Sequence, residues 1–168
     1  MLPSDHFVKF YNEVFKFLLK KGDDEIKKYY ERVSTNQEFH CLKLFTEKGL
    51  QGMYEYWEHI RVEENCDMVN RLCDDCYSFE FFSCPSLLKV TDNDAEACAQ
   101  YCNHCPGWIL PIMTKTGYYA VYNLISRTEP RCAMYVYSSR EKAVAKREEL
   151  VRVNGADMIL DNIKEVQT

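Results

Sequence analysis

Cys76-Tyr77-Ser78-Phe79-Glu80-Phe81-Phe82-Ser83-Cys84-Pro85 is the stretch on which the fold turns. Tyr77, Phe79 and Phe81 alternate with Cys76, Ser78, Glu80 and Phe82, the period-two pattern of a strand buried on one face. Pro85 marks the point where the chain leaves the sheet. Cys66 to Cys73 reads as a weaker strand, and Asp74-Asp75 as a turn, so a β-hairpin is expected here. Downstream, Tyr118 to Ile125 and Arg131 to Tyr137 are two further β-rich runs. They are joined by the turn-like Ser126 to Pro130, and a short strand at Met158 to Leu160 is a candidate addition.

Upstream the period is helical. Ser4 can cap a helix carrying Phe7, Phe10, Tyr11, Val14 and Leu18, and Gly22 ends it. Three shorter helices are expected next. The first begins at Asp23 with Ile26, Tyr29, Tyr30 and Val33. The second carries Phe39, Leu42 and Phe45 up to Gly49, and the third carries Leu50, Met53, Tyr54, Trp57 and Ile60. Asn93 or Asp92 can cap a helix from Asp94 to about Cys105, broken by Pro106 and Gly107. A short apolar helix with Trp108, Ile109, Ile112 and Met113 then runs to Gly117. Ser138 and Glu141 form a capping box for a helix to about Val153, closed by Gly155. The pattern predicts a single α+β domain over 1–168. Its 1–62 portion is helical, and its 63–168 portion is cysteine-rich, with a small antiparallel sheet of about four strands packed with helices.

At 168 residues and 46% apolar composition, the chain can bury a core without metal or disulfide staples. A net charge of −5 gives no general attraction to phosphate backbones or anionic lipid, so neither a nucleic-acid nor a membrane partner is expected. No apolar run is long enough to span a bilayer, and Met1 to Phe10 lacks the charge-then-apolar order of a secretory leader. The nine cysteines are an odd count. Together these features predict a cytoplasmic protein whose cysteines are reduced thiols, metal ligands, catalytic thiolates or small buried hydrophobes.

The chemistry-bearing residues cluster from residue 84 onward. Cys98, Cys102 and Cys105 lie at i, i+4 and i+7, one face of the expected helix and also a spacing used for iron–sulfur clusters. Cys73-x2-Cys76 and Cys102-x2-Cys105 are two thiol knuckles of the kind that hold zinc. A four-thiolate site for zinc or an iron–sulfur cluster is the wider metal candidate, with Cys84, Cys102, Cys105 and Cys132 as ligands. His104, between two cysteines, can take a thiol proton or sit as a helix-end partner. Glu80 is a candidate acid/base if its strand face is buried. His59 reads as solvated. Trp108, Tyr118, Tyr119 and Tyr122 are candidates to line an apolar pocket beside the cysteines.

Three stretches carry a family likeness: Phe82-Ser83-Cys84-Pro85-Ser86-Leu87, Tyr101-Cys102-Asn103-His104-Cys105 and Arg131-Cys132-Ala133-Met134-Tyr135-Val136. Over roughly residues 80–137 this succession resembles the L-2-amino-thiazoline-4-carboxylic acid hydrolase-like family. The resemblance implies a helical N-terminal half, a compact α+β remainder and opening of a sulfur-containing ring, with Cys84, Cys102 and Cys132 as matching positions. Where that pattern has an acidic residue soon after the middle cysteine, this chain has His104 and Cys105.

The readings that follow are three. One is a cysteine-dependent hydrolase on carbon–nitrogen bonds of a small, sulfur-containing or amidine-like substrate. Its nucleophile would be Cys84 or Cys102, its proton partner His104 or Glu80, and Cys132 a supporting thiol. The second is a metal-binding module on the same cysteines, and the third a small-ligand or redox sensor.

Overall fold

The computed structural model describes residues 3–92 and 96–164. Helix α1 (Pro3–Lys21) stops at Gly22, whose φ of 122° lets the chain reverse into α2 (Asp23–Glu63). The helices expected from Asp23 and around Phe45 are continuous. The break falls at Gly49, with φ 57° and ψ −135°, a region essentially restricted to glycine. A Cβ there would also lie 2.5 Å from the Tyr118 hydroxyl. Gly49→Ala is therefore expected to cost about 1–3 kcal/mol. Thermal unfolding followed by circular dichroism should show it as a Tm lowered by roughly 2–4 °C per kcal/mol.

The sheet follows: β1 (Asp67–Leu72), β2 (Cys76–Ser83), β3 (Tyr119–Asn123), β4 (Cys132–Tyr137) and β5 (Ile159–Asp161). Five strands rather than about four are antiparallel in the order β1-β2-β4-β3-β5. The alternation in β2 decides its two faces. Tyr77, Phe79 and Phe81 join Tyr122, Met134 and Val136 against Phe45, Met53 and Trp57 of α2 and Ile109, Ile112 and Met113 of α4 (His104–Thr116). The opposite face, with Val121 and Tyr135, packs on Ala143 and Leu150 of α5 (Arg140–Asn154). A third apolar cluster joins Phe15 of α1, Ile26 and Tyr30 of α2, Leu87 and Val90 of α3 (Pro85–Thr91), and Tyr101. Each fully buried large side chain contributes roughly 1.5–3 kcal/mol relative to its exposed state. No helix among the described residues is long and apolar enough to cross a membrane.

Several helical expectations are corrected. In α1 the buried positions are Asn12 and Phe15, while Phe7 and Phe10 are exposed; in α2, Phe39 is exposed and Cys41 buried. Aromatics stand on more than one face of these helices, so periodicity alone leaves the inward face open. The Ser4 side chain, the candidate cap Asn93 and the expected helix start Asp94 lie outside the described residues, and the other candidate cap, Asp92, instead closes α3. Residues 96–100 are not helical; a 3-10 turn spans Tyr101–Asn103, and α4 starts only at His104. Pro106 falls in the first turn of α4, where its missing N–H has no helical partner to lose. Gly107 does not break the helix either. It lets α4 approach Tyr30, whose ring would sit 2.6 Å from a Cβ there. Buried Asn12 ties the 96–98 segment to α1, accepting from the Cys98 amide at 2.7 Å and donating to the Glu96 carbonyl at 3.0 Å. The α5 cap is Ser139 rather than Ser138.

Candidate functional site

Cys84 follows the last residue of β2 with φ −69° and ψ 115°, and its amide donates to the Pro130 carbonyl at 2.6 Å. The Ser86 and Leu87 amides at the start of α3 temper the rise that burial gives the Cys84 pKa. Cys132 opens β4 opposite Phe81. Cys102 sits in the 3-10 turn, and Cys105 in the first turn of α4. Three stretches distant in sequence thus bring Cys84, the pair Cys102 and Cys105, and Cys132 to the wall of one small cavity of about 20 Å³, with Tyr101, His104 and Tyr122. That is room for about one water molecule.

Burial dominates the electrostatics. It pushes Cys102 up to about 11, raises Cys84 and Cys132, and holds Cys105 well above its ordinary value; the Cys84 sulfur adds to the rise at the other three, and Glu64 to that at Cys84 itself. All four are neutral thiols at pH 7. Arg127 opposes the trend at Cys102. Its guanidinium donates to Asn103 Oδ1 at 2.9 Å and to the Asp157 carbonyl at 3.0 Å, fastening the 3-10 turn.

His104 is buried and neutral, its pKa lowered to about 4 by desolvation. Nδ1 lies 2.5 Å from the Tyr101 carbonyl oxygen, and Nε2 lies 3.1 Å from Cys105 Sγ. A carbonyl only accepts, so Nδ1 carries the hydrogen and Nε2 presents its lone pair to the Cys105 S–H. The rings of Trp108 and Phe15, with centroids at 4.7 and 5.5 Å, hold the imidazole in place. Tyr122 shares the wall of the small cavity with Cys105 and Cys132, and its hydroxyl tempers the rise in the pKa of both.

A second, larger cavity of about 640 Å³ opens between α1, α2, α3, α4 and the sheet. Tyr11, Tyr56, Phe81 and Trp108 line it, with the exposed carboxylates of Glu63 and Glu64. His104, Cys105 and Tyr122 line this cleft and the small cavity alike, whereas Cys84, Cys102 and Cys132 line the small cavity alone. A volume of this size suits a small molecule.

The sequence-predicted residues divide accordingly. Cys84, Cys102, Cys105, Cys132 and His104 come together. Glu80 does not: it is held by Arg131 at 2.8 Å on the sheet face of Tyr135, opposite the thiols. Cys84 leaves that face because the strand ends at Ser83 and the chain turns into α3. His104 meets Cys105, not Cys84 or Cys102, as its proton partner. Trp108 and Tyr122 line the cleft, but Tyr118 and Tyr119 line a different cavity beside Arg140 and Asn162. His59 is exposed beside Glu63.

The metal arrangements are corrected too. Among the described residues, no group of three or more His, Cys, Asp or Glu is placed to hold a metal ion. The thiols at 84, 102, 105 and 132 share a cavity wall without forming a ligand set for zinc or an iron–sulfur cluster. Cys73 and Cys76 lie at the far end of β2 from Cys84, ~25 Å of strand away, so they cannot close a zinc ribbon with Cys102 and Cys105. Cys98 is drawn toward Asn12 and the α1 cluster, because residues 98–105 are not one helix.

Nothing in the sequence marks Tyr122 or Arg127 as acting on the thiols, and the spacing of Cys105 points to a metal ligand rather than a nucleophile. The adjacency of His104 and Cys105 was the one available signal. Compared with protein-family models, with curated proteins and with solved structures, the chain has no match.

Proposed function

We propose that the chain is a cysteine-dependent, hydrolase-like enzyme for a small molecule bound in the aromatic cleft, with Cys105 as nucleophile and His104 as general base. The observation that carries the reading is the Cys105–His104 contact of 3.1 Å at the floor of a cleft large enough for a substrate. A nucleophile, a base within reach and a third group orienting the base make up the arrangement that thiol catalysis needs. Here the third group is the Tyr101 carbonyl, which accepts from Nδ1 and stabilises the imidazolium as it forms.

Because both partners rest neutral, proton transfer accompanies attack. As Cys105 sulfur bonds to an acyl or amidine-like carbon, its proton passes to His104 Nε2. The carbon–nitrogen bond breaks, and the leaving nitrogen takes that proton, leaving a covalent thioester or thioimidate. Water then attacks with His104 accepting its proton. The sulfur departs with its charge met by the Tyr122 hydroxyl and recovers the proton from His104. One water is consumed, and a carboxylate or amide and an amine are released. Ring opening of a thiazoline-like substrate is one case of this chemistry.

The test is acylation by p-nitrophenyl acetate of a Cys73→Ser variant, which removes the most exposed competing thiol. A burst of p-nitrophenol followed by slow turnover is expected, with the acetyl group located on Cys105 by mass spectrometry. An acetyl group on Cys84 or Cys102 instead, or on no cysteine, refutes the assignment.

A further inference from the structure

We propose that Cys73 and Cys76 form a second reactive site, a reversible dithiol–disulfide couple at the β1–β2 turn that exchanges with low-molecular-weight disulfides of the glutathione class. The strand register pairs Leu72 with Tyr77, so Cys73 and Cys76 are the next pair across the turn, with Asp74 and Asp75 between them. The Cys73 amide donates to the Cys76 carbonyl at 2.8 Å, which confirms that the two residues stand directly opposite. Residues paired in this way project to the same face, with Cα atoms about 5.5 Å apart, a separation at which disulfides form. Both are free thiols, Cys73 exposed and Cys76 half-buried.

The asymmetry assigns their roles. Cys73 meets solvent and attacks first. Its thiolate bonds to one sulfur of the small disulfide, and the other half leaves as thiolate. Cys76, whose pKa burial raises, resolves the mixed disulfide by attacking the Cys73 sulfur and expelling the second small thiolate. Two protein thiols become one disulfide, and one small disulfide becomes two thiols. The nearby Lys146 ammonium favours the Cys76 thiolate, and Lys142 holds Asp75, steadying the turn. In a hydrogen-bonded cross-strand pair the Cβ atoms stand about 4.5–5.5 Å apart, above the roughly 3.8 Å a relaxed disulfide prefers. The bond is therefore strained and easily reduced, which suits a couple that cycles rather than a permanent staple. The site is remote from the Cys105 cleft and independent of the reading given to it.

The experiment equilibrates the full, reduced chain in stepped ratios of reduced to oxidised glutathione, alkylates the remaining thiols and maps the peptides by mass spectrometry. The expected result is loss of two hydrogens between Cys73 and Cys76 while Cys84, Cys102, Cys105 and Cys132 still alkylate after denaturation, with full reversal by dithiothreitol. Cys76→Ser, which cannot resolve the intermediate, should raise the glutathione adduct on Cys73 at least about tenfold. The proposal is overturned if Cys73 in the unaltered chain accumulates as the glutathione adduct with Cys76 free. It is equally overturned if the first disulfide to form joins any other pair.

Discussion

Cys105→Ala is expected to abolish the acylation burst and to lower ester turnover at least as far as His104→Gln, for which removal of a general base predicts about 10²–10⁴-fold. Cys84→Ala and Cys102→Ala should leave the burst in place, because those sulfurs line the small cavity and not the cleft. The pH profile is the sharper measurement. A free histidine loses its capacity as a base below about 6.5. Desolvation among Phe15, Tyr101 and Trp108 lowers His104 to about 4, so kcat/KM should hold level to near pH 5 and fall only toward 4. The thiol, held well above its ordinary value, supplies almost no resting thiolate. Iodoacetamide at pH 7 should therefore modify Cys105 more slowly than exposed Cys73, although Cys105 is the residue acylated by ester. An acid limb centred near 6.5, or rapid alkylation of Cys105, would sink the neutral-pair mechanism.

The same burial makes His104 an acid-sensitive element of the fold. In the unfolded chain its imidazole takes a proton near pH 6.5; in the folded chain it resists until about pH 4. Between these values the unfolded state binds more protons, so stability falls as pH falls, and above about 6.5 the contribution is fully present. The whole effect amounts to roughly 3 kcal/mol. Urea unfolding at pH 7, 5.5 and 4.5 should show a progressive loss in the parent chain and a much flatter profile in His104→Gln, whatever the variant's stability at pH 7. Glu58, lowered to about 2 by Arg61 and Asn70, acts in the same direction but below about 4.5, and is common to both proteins. Equal slopes for the two proteins between pH 6.5 and 4.5 would refute the assignment.

The strand at Tyr77–Phe81 was legible because period-two alternation and one buried face are the same fact seen in sequence and in space. Gly22 and Gly117 were legible as helix stops for a similarly local reason, since both adopt positive φ. The phase of α1 was not, since Phe7, Phe10 and Phe15 compete for the inward position and only the neighbours of Phe15 settle it. The helix to Cys105 misled because Cys98, Cys102 and Cys105 have helical spacing. The Asn12 tether and the 3-10 turn override it.

From its residues alone this chain determined an α+β class and an antiparallel sheet, since these depend on periodicity and composition carried within short segments. The tertiary structure decided which thiol faces the imidazole, which reaches the cleft, and that Glu80 is turned away. Those outcomes depend on where a strand end, a 3-10 turn and a helix start meet, and on how much water each group loses there. Neither quantity is encoded in the spacing of cysteines along the chain.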